Sequence, residues 1–236
     1  MHLQSPTLTF MIYVIGGLVF LALIFLPQIW VRGAIARHAV PRDDFPGTGG
    51  ELARHLLDEA GLQSVGVEMT PGGDHYDPRD KIVRLSDANH NGRSLSAVAI
   101  AAHEVGHALQ DSQGYGPLKI RTRFAGSVQK IEKIGGMIML ATPVIAAITR
   151  APSIIALELA AGLLVLMSSV AFHLITLPVE MDASFGRALP ILKAGKYLED
   201  KDLPAASHVL KAAAFTYVSV ALVSLLDIAR WLRLLR

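Results

Sequence analysis

"AIAAHEVGHALQD", residues 99–111, places two histidines four positions apart with a glutamate directly after the first. On an α-helix, positions i and i+4 share a face, so His103 and His107 can reach one ion. Neutral imidazole suits Zn²⁺, held through nitrogens about 2 Å from the metal. Glu104 lies about 100° further round the helix. That is poor for ligation but well placed for a general base beside a metal-held water. The flanking residues predict the helix itself, with Ser94 as N-cap and Gly114 as stop. Its Ala- and Val-rich face predicts packing rather than solvation, so two imidazoles and a carboxylate there call for a purpose.

A catalytic zinc needs a third protein ligand and one position left open. His2 and His38 flank the first apolar stretch, His55 sits on a surface-like helix, His173 lies inside an apolar run and His208 precedes another. Position 113 is Gln, so the nearby third histidine of the H-E-x-x-H-x-x-G-x-x-H class is missing. Glu180, in "TLPVEMDASFGRAL", falls where an apolar run ends. A helix beginning near Pro178 would project it toward the polar part of the chain, and this favours it as the distant ligand. The alternative is an interfacial acid at a helix start, stabilised by the helix dipole.

Working outward, 52% of the 236 residues are apolar and 18% are charged, which is rich for a soluble globule and ordinary for a membrane protein. A net charge of +2 without basic–aromatic clusters argues against nucleic acid as a partner. No cysteine is present, which excludes disulfides, thiolate metal sites and a cysteine nucleophile. Four apolar stretches stand out. Residues 8–30 carry no charge and predict a membrane anchor rather than a cleaved signal, since no basic region precedes them. Residues 134–149 and 153–178 read as a tight helical hairpin. Residues 212–229, followed by "RWLRLLR", either cross the membrane or lie in its interface. Between the first two stretches, a helix over 47–62 precedes two strands, 65–69 and 81–85, around a Pro/Gly/Asp turn region.

"GDHYDP", "RLS", "AIAAHEVGHALQ", "TLPVEMDAS" and a following "RAL" resemble, in that order, the membrane-bound neutral zinc metallopeptidases of the YugP type. More distantly the chain is similar to the HtpX-type and CAAX prenyl proteases. The resemblance implies a mainly α membrane protein with three to four transmembrane helices and a zincin-like metalloprotease domain. Its segments would be an anchor (8–30), a catalytic part (31–133), a transmembrane hairpin (134–178), a ligand-bearing helix with its successor (179–211) and a C-terminal membrane helix (212–236). It implies one zinc per chain on His103, His107 and Glu180, with Glu104 as base. The glutamate-zincin pattern places an aspartate four residues after the third ligand. Here position 184 is Ser, and the aspartate is Asp182, about 200° round a continuous helix from Glu180. Either Ser184 or, through a distorted turn, Asp182 would orient a ligand histidine.

The activity this implies is peptide-bond hydrolysis by zinc-activated water, on membrane or membrane-proximal proteins. Ile82, Val83 and Arg84 would offer an exposed strand edge to an extended substrate, the competing reading being a strand paired on both sides. Arg187, seven residues after Glu180 and so on its helical face, is the first candidate to stabilise the oxyanion, with His75 and Tyr76 next. Basic residues following the first apolar stretch (Arg32, Arg37, Arg42) and preceding the second (Lys119, Arg121, Arg123, Lys130, Lys133) orient the zinc domain to the cytoplasmic side of the inner cell membrane. The tail arginines conflict with four full crossings. Competing functions are a membrane scaffold or adaptor with structural zinc, and a processing peptidase of lipidated or short peptides. Membrane-protein partners or a second copy of the chain would suit either.

Overall fold

Helix α4 (Leu95–Ser112) is the element on which the others assemble. The Ser94 hydroxyl accepts the Ala97 N–H at 3.1 Å, and Gly114, with φ +67°, ends the helix in the left-handed conformation that suits glycine. Fifteen of its 18 residues are buried, so neighbours surround it on nearly every side. The computed structural model describes residues 6–149 and 152–234. His2, Arg150, Ala151 and the final two residues lie outside the described residues.

Helix α1 (Pro6–Arg37) leads into α2 (Gly49–Glu59), where Thr48 and Glu51 form a reciprocal capping box. Three short strands follow: β1 (Gly66–Thr70), β2 (His75–Asp77) and β3 (Ile82–Ser86). Their order is β1-β3-β2, with β1 parallel to β3 and β2 antiparallel to it; Gly66 faces Ile82, and His75 faces Arg84. β3 is therefore central, and its Val83 and Leu85 are fully buried. This corrects the expectation of an exposed edge at Ile82, Val83 and Arg84. Their backbone is paired on both sides, and the free edge next to the zinc-motif helix belongs to β2. A one-turn α3 (Asp87–His90) then connects to α4.

Helix α5 (Gly116–Thr149) runs unbroken across the boundary expected at 133/134. Helix α6 (Pro152–Met181) runs through Pro178, so Glu180 sits in its last turn and not on a helix starting at that proline. The chain then winds as a π-helix over Asp182–Ala188, continues as α7 (Leu189–Ala194), turns, and returns as α8 (Leu203–Leu234). Helix α8 lies antiparallel beside α1, with Ala212 clustered on Val31 and Ala34, and His208 beside His38.

Among the described residues, two helical stretches are long and apolar enough to cross a bilayer, Tyr13–Arg37 and Ala160–Ala194. Three to four were expected. Helix α5 falls short because charges occupy its first half, leaving residues 134–149, about 24 Å at 1.5 Å per residue, against a hydrocarbon layer of about 30 Å. Along α1, Phe10, Leu18, Leu26 and Ile29 are all more than half exposed, an apolar surface suited to lipid.

Candidate metal centre

His103 and His107 emerge from the middle of α4 with their rings 4.7 Å apart. Glu180 reaches them from the end of α6, its Oε2 lying 3.2 Å from His103 Nε2 and 3.4 Å from His107 Nε2. All three are buried, and one ligand atom from each lies within 4.8 Å of the others. The approach depends on Gly106. A Cβ there would stand 2.7 Å from the Ala183 carbonyl oxygen, so only glycine lets the π-helix backbone come this close to α4.

The surrounding hydrogen bonds decide which nitrogens are free. The Ser184 hydroxyl is 3.0 Å from His103 Nδ1 and 3.2 Å from the Leu210 carbonyl oxygen. Its single proton goes to the carbonyl, which can only accept, so His103 Nδ1–H donates to the hydroxyl. The Gln110 side-chain NH₂ donates to the Val179 carbonyl and to Asp182 Oδ2, both at 2.8 Å. Its carbonyl oxygen thereby faces His107 Nδ1 at 2.9 Å and accepts from it. Both imidazoles then present Nε2 lone pairs to the Glu180 carboxylate, whose Oε1 is buried without a hydrogen-bond partner. Three electron-rich groups converging without a proton between them fit a divalent cation, and two nitrogens with one oxygen suit zinc.

Both candidates for orienting a histidine are thus engaged. Ser184 touches His103 directly, while Asp182 acts on His107 through Gln110. Arg187 does not reach the centre. It is bound to Asp182 Oδ2 at 2.7 Å and to the Gln113 side-chain oxygen at 2.7 Å, and stacks 5.7 Å from the Tyr115 ring. The oxyanion role expected of it is corrected to holding Asp182. Tyr76 borders the cavity, but its hydroxyl donates to Asp111 at 2.7 Å. His75 also borders the cavity, with Nδ1 donating to the Gly73 carbonyl oxygen at 2.8 Å. His173 stands apart from the ligands, beside Phe172 and Tyr217.

Glu104 opens onto the same cavity of about 290 Å³ as the three candidate ligands. Burial pushes its carboxyl up to about 7, with His103 opposing the shift and Glu180 adding to it. A cation at the centre acts in the opposite sense. Asp74 fixes the cavity rim by accepting from the Ser86 N–H and hydroxyl and from Asn89 at 2.7–2.9 Å. The remaining walls come from Ile35 of α1, Arg121 of α5, and Ala213, Thr216 and Tyr217 of α8. Sequence reasoning missed Gln110, Arg121 and Tyr217 as site residues. Gln110 had a signal, since it lies one turn after His107 on the same helical face.

Known proteins bear on this geometry. The chain is 36% identical over 229 residues to "Putative membrane protease YugP" of Bacillus subtilis (strain 168), covering 94% of this chain and 95% of the relative. No solved structure matches. A family described as "Putative neutral zinc metallopeptidase" matches residues 11–236, nearly the whole chain. With that coverage and that identity, the chain belongs to this zinc metallopeptidase family.

Proposed function

We propose that this protein is an integral membrane zinc endopeptidase in which His103, His107 and Glu180 hold one zinc ion per chain and Glu104 is the general base. The observation that carries the reading is the convergence of two Nδ1-anchored imidazoles on a buried carboxylate, with a second carboxylate, that of Glu104, at the same cavity. A zinc bound there would supply Lewis acidity for the scissile carbonyl and for water. Ser184 and Gln110 keep both imidazoles in the ligating tautomer. Glu104 takes a proton from water as oxygen adds to the carbonyl carbon, and delivers it to the leaving nitrogen when the C–N bond breaks. The β2 edge, His75–Asp77, is the place for an extended substrate strand.

The cavity draws its walls from α1, α5, α6 and α8, the helices that carry the apolar stretches. That supports substrates that are membrane proteins or lie close to the membrane, and a multi-pass arrangement; the basic residues that follow α1 favour a site facing the cytoplasm. A structural zinc in a scaffold has no use for Glu104 beside its ligands. The test is Glu104→Gln. The amide cannot take the proton, so the variant should retain its fold and about one zinc per chain while casein cleavage falls by about 10²- to 10⁴-fold. Unchanged cleavage would make the scaffold reading lead, and zinc loss would make Glu104 a ligand or its support.

A further inference from the structure

We infer that Arg121 and Tyr217 are the oxyanion-stabilising pair of this site, an assignment that rests on the peptidase reading above. Arg121 lies on α5 among residues whose charges suit lipid headgroups, yet its side chain turns inward and is only 21% exposed. Its Nη2 stands 3.6 Å from Glu180 Oε1, too far for a hydrogen bond. Among the described residues its one hydrogen bond goes to the Tyr217 hydroxyl, over whose ring it also sits at 5.2 Å. A guanidinium carries five N–H donors. This one spends one of them on Tyr217 and lines the cavity that Glu104 shares with His103, His107 and Glu180. Tyr217 accepts from Arg121, which leaves the phenolic proton to donate.

The other candidates are out of place or already engaged. The Arg187 guanidinium is held by Asp182 and Gln113 outside the cavity walls. The Tyr76 hydroxyl is committed to Asp111. His75 has its Nδ1 committed to the Gly73 carbonyl oxygen. Among the described residues of the wall, Arg121 and Tyr217 thus supply the arginine and the hydroxyl free to donate, on helices other than the one that carries the base. As water adds to the carbonyl carbon, negative charge collects on the carbonyl oxygen. Donors already fixed at that point lower the barrier because they need no reorganisation.

The experiment compares zinc-loaded wild type, Arg121→Gln, Arg121→Lys and Tyr217→Phe on the casein peptide cleaved fastest, and measures calorimetrically the binding of a phosphinic-acid analogue of that peptide. Zinc content is measured for each protein. Arg121→Gln should keep its zinc, lose about 10²- to 10³-fold in kcat with KM little changed, and lose a similar factor in phosphinate affinity. Arg121→Lys should recover part of both losses, and Tyr217→Phe should lose about tenfold or more in each. If Arg121→Gln does not fold, Tyr217→Phe decides by the same two readouts. A zinc-loaded variant within threefold of wild type in kcat and phosphinate affinity overturns the assignment. So does loss of zinc on Arg121→Gln, which would make the arginine a support of Glu180. A wild type that holds zinc but cleaves no peptide overturns the peptidase reading and this inference with it.

Discussion

The two histidines proposed as ligands are anchored by neutral partners, a hydroxyl for His103 and an amide for His107. A carboxylate would give the imidazole more negative charge; a hydroxyl or amide fixes the ring and tautomer while adding none. The net charge such a ligand set contributes would come from Glu180 alone, which would leave a bound metal more electrophilic. Removing an anchor should loosen the ring without removing a ligand. Ser184→Ala and Gln110→Ala should each weaken zinc binding by about 10- to 100-fold, measured by competition with a chelator. Gln110→Ala should have the larger effect, because it also strands the Val179 carbonyl and releases Asp182. Unchanged affinity in both would mean that packing alone holds the rings.

At the scale of elements, the decisive contact is α4 against the π-helix at Gly106 and Ala183. Gly106→Ala would set a methyl group 2.7 Å from a backbone oxygen that has no rotamer to escape into. The two elements must part by several tenths of an ångström, and Glu180 moves with them. The expected result is loss of most bound zinc and a lower midpoint of thermal unfolding for the zinc-loaded protein; a variant with full occupancy would show that the contact yields. Helix α4 was legible in the sequence at both ends, because Ser94 and Gly114 are local signals with local causes. The π-helix was not, since nothing in "DASFGRA" distinguishes i→i+5 from i→i+4 bonding. Its extra residues per turn explain why Arg187, expected on the Glu180 face at 3.6 residues per turn, is rotated away, and why Asp182 comes within reach of Gln110. Strand β2 was hidden for another reason: three residues inside a Gly/Asp-rich stretch carry no usable alternation. The walls from α5 and α8 depend on contacts far apart in the chain, which periodicity does not encode.

Taken as a whole, the molecule sets a small polar unit on a bundle whose outer surface is apolar. On the proposed orientation, the basic residues that follow α1 would hold that unit on the cytoplasmic side, and Arg121 drops out of the lipid-facing charges because it faces inward. The chain has no cysteine, so one introduced at the exposed Ser64 reports cleanly. A membrane-impermeant thiol reagent should label Ser64→Cys only after the cells are opened. Labelling of intact cells would reverse the orientation. The metal centre itself joins positions 77 residues apart, from His103 to Glu180. At about 5–20 residues per second, a ribosome needs on the order of 4–15 s to travel that distance. For that time the nascent chain owns two zinc ligands, fewer than a catalytic site requires. Glu180 arrives only in the last turn of α6, so a hydrolytic centre built on these three groups would be complete only once most of the second membrane-length stretch, Ala160–Ala194, has been made. The order of synthesis would thereby act as a safeguard: a chain not yet made as far as Glu180 would have no cutting edge.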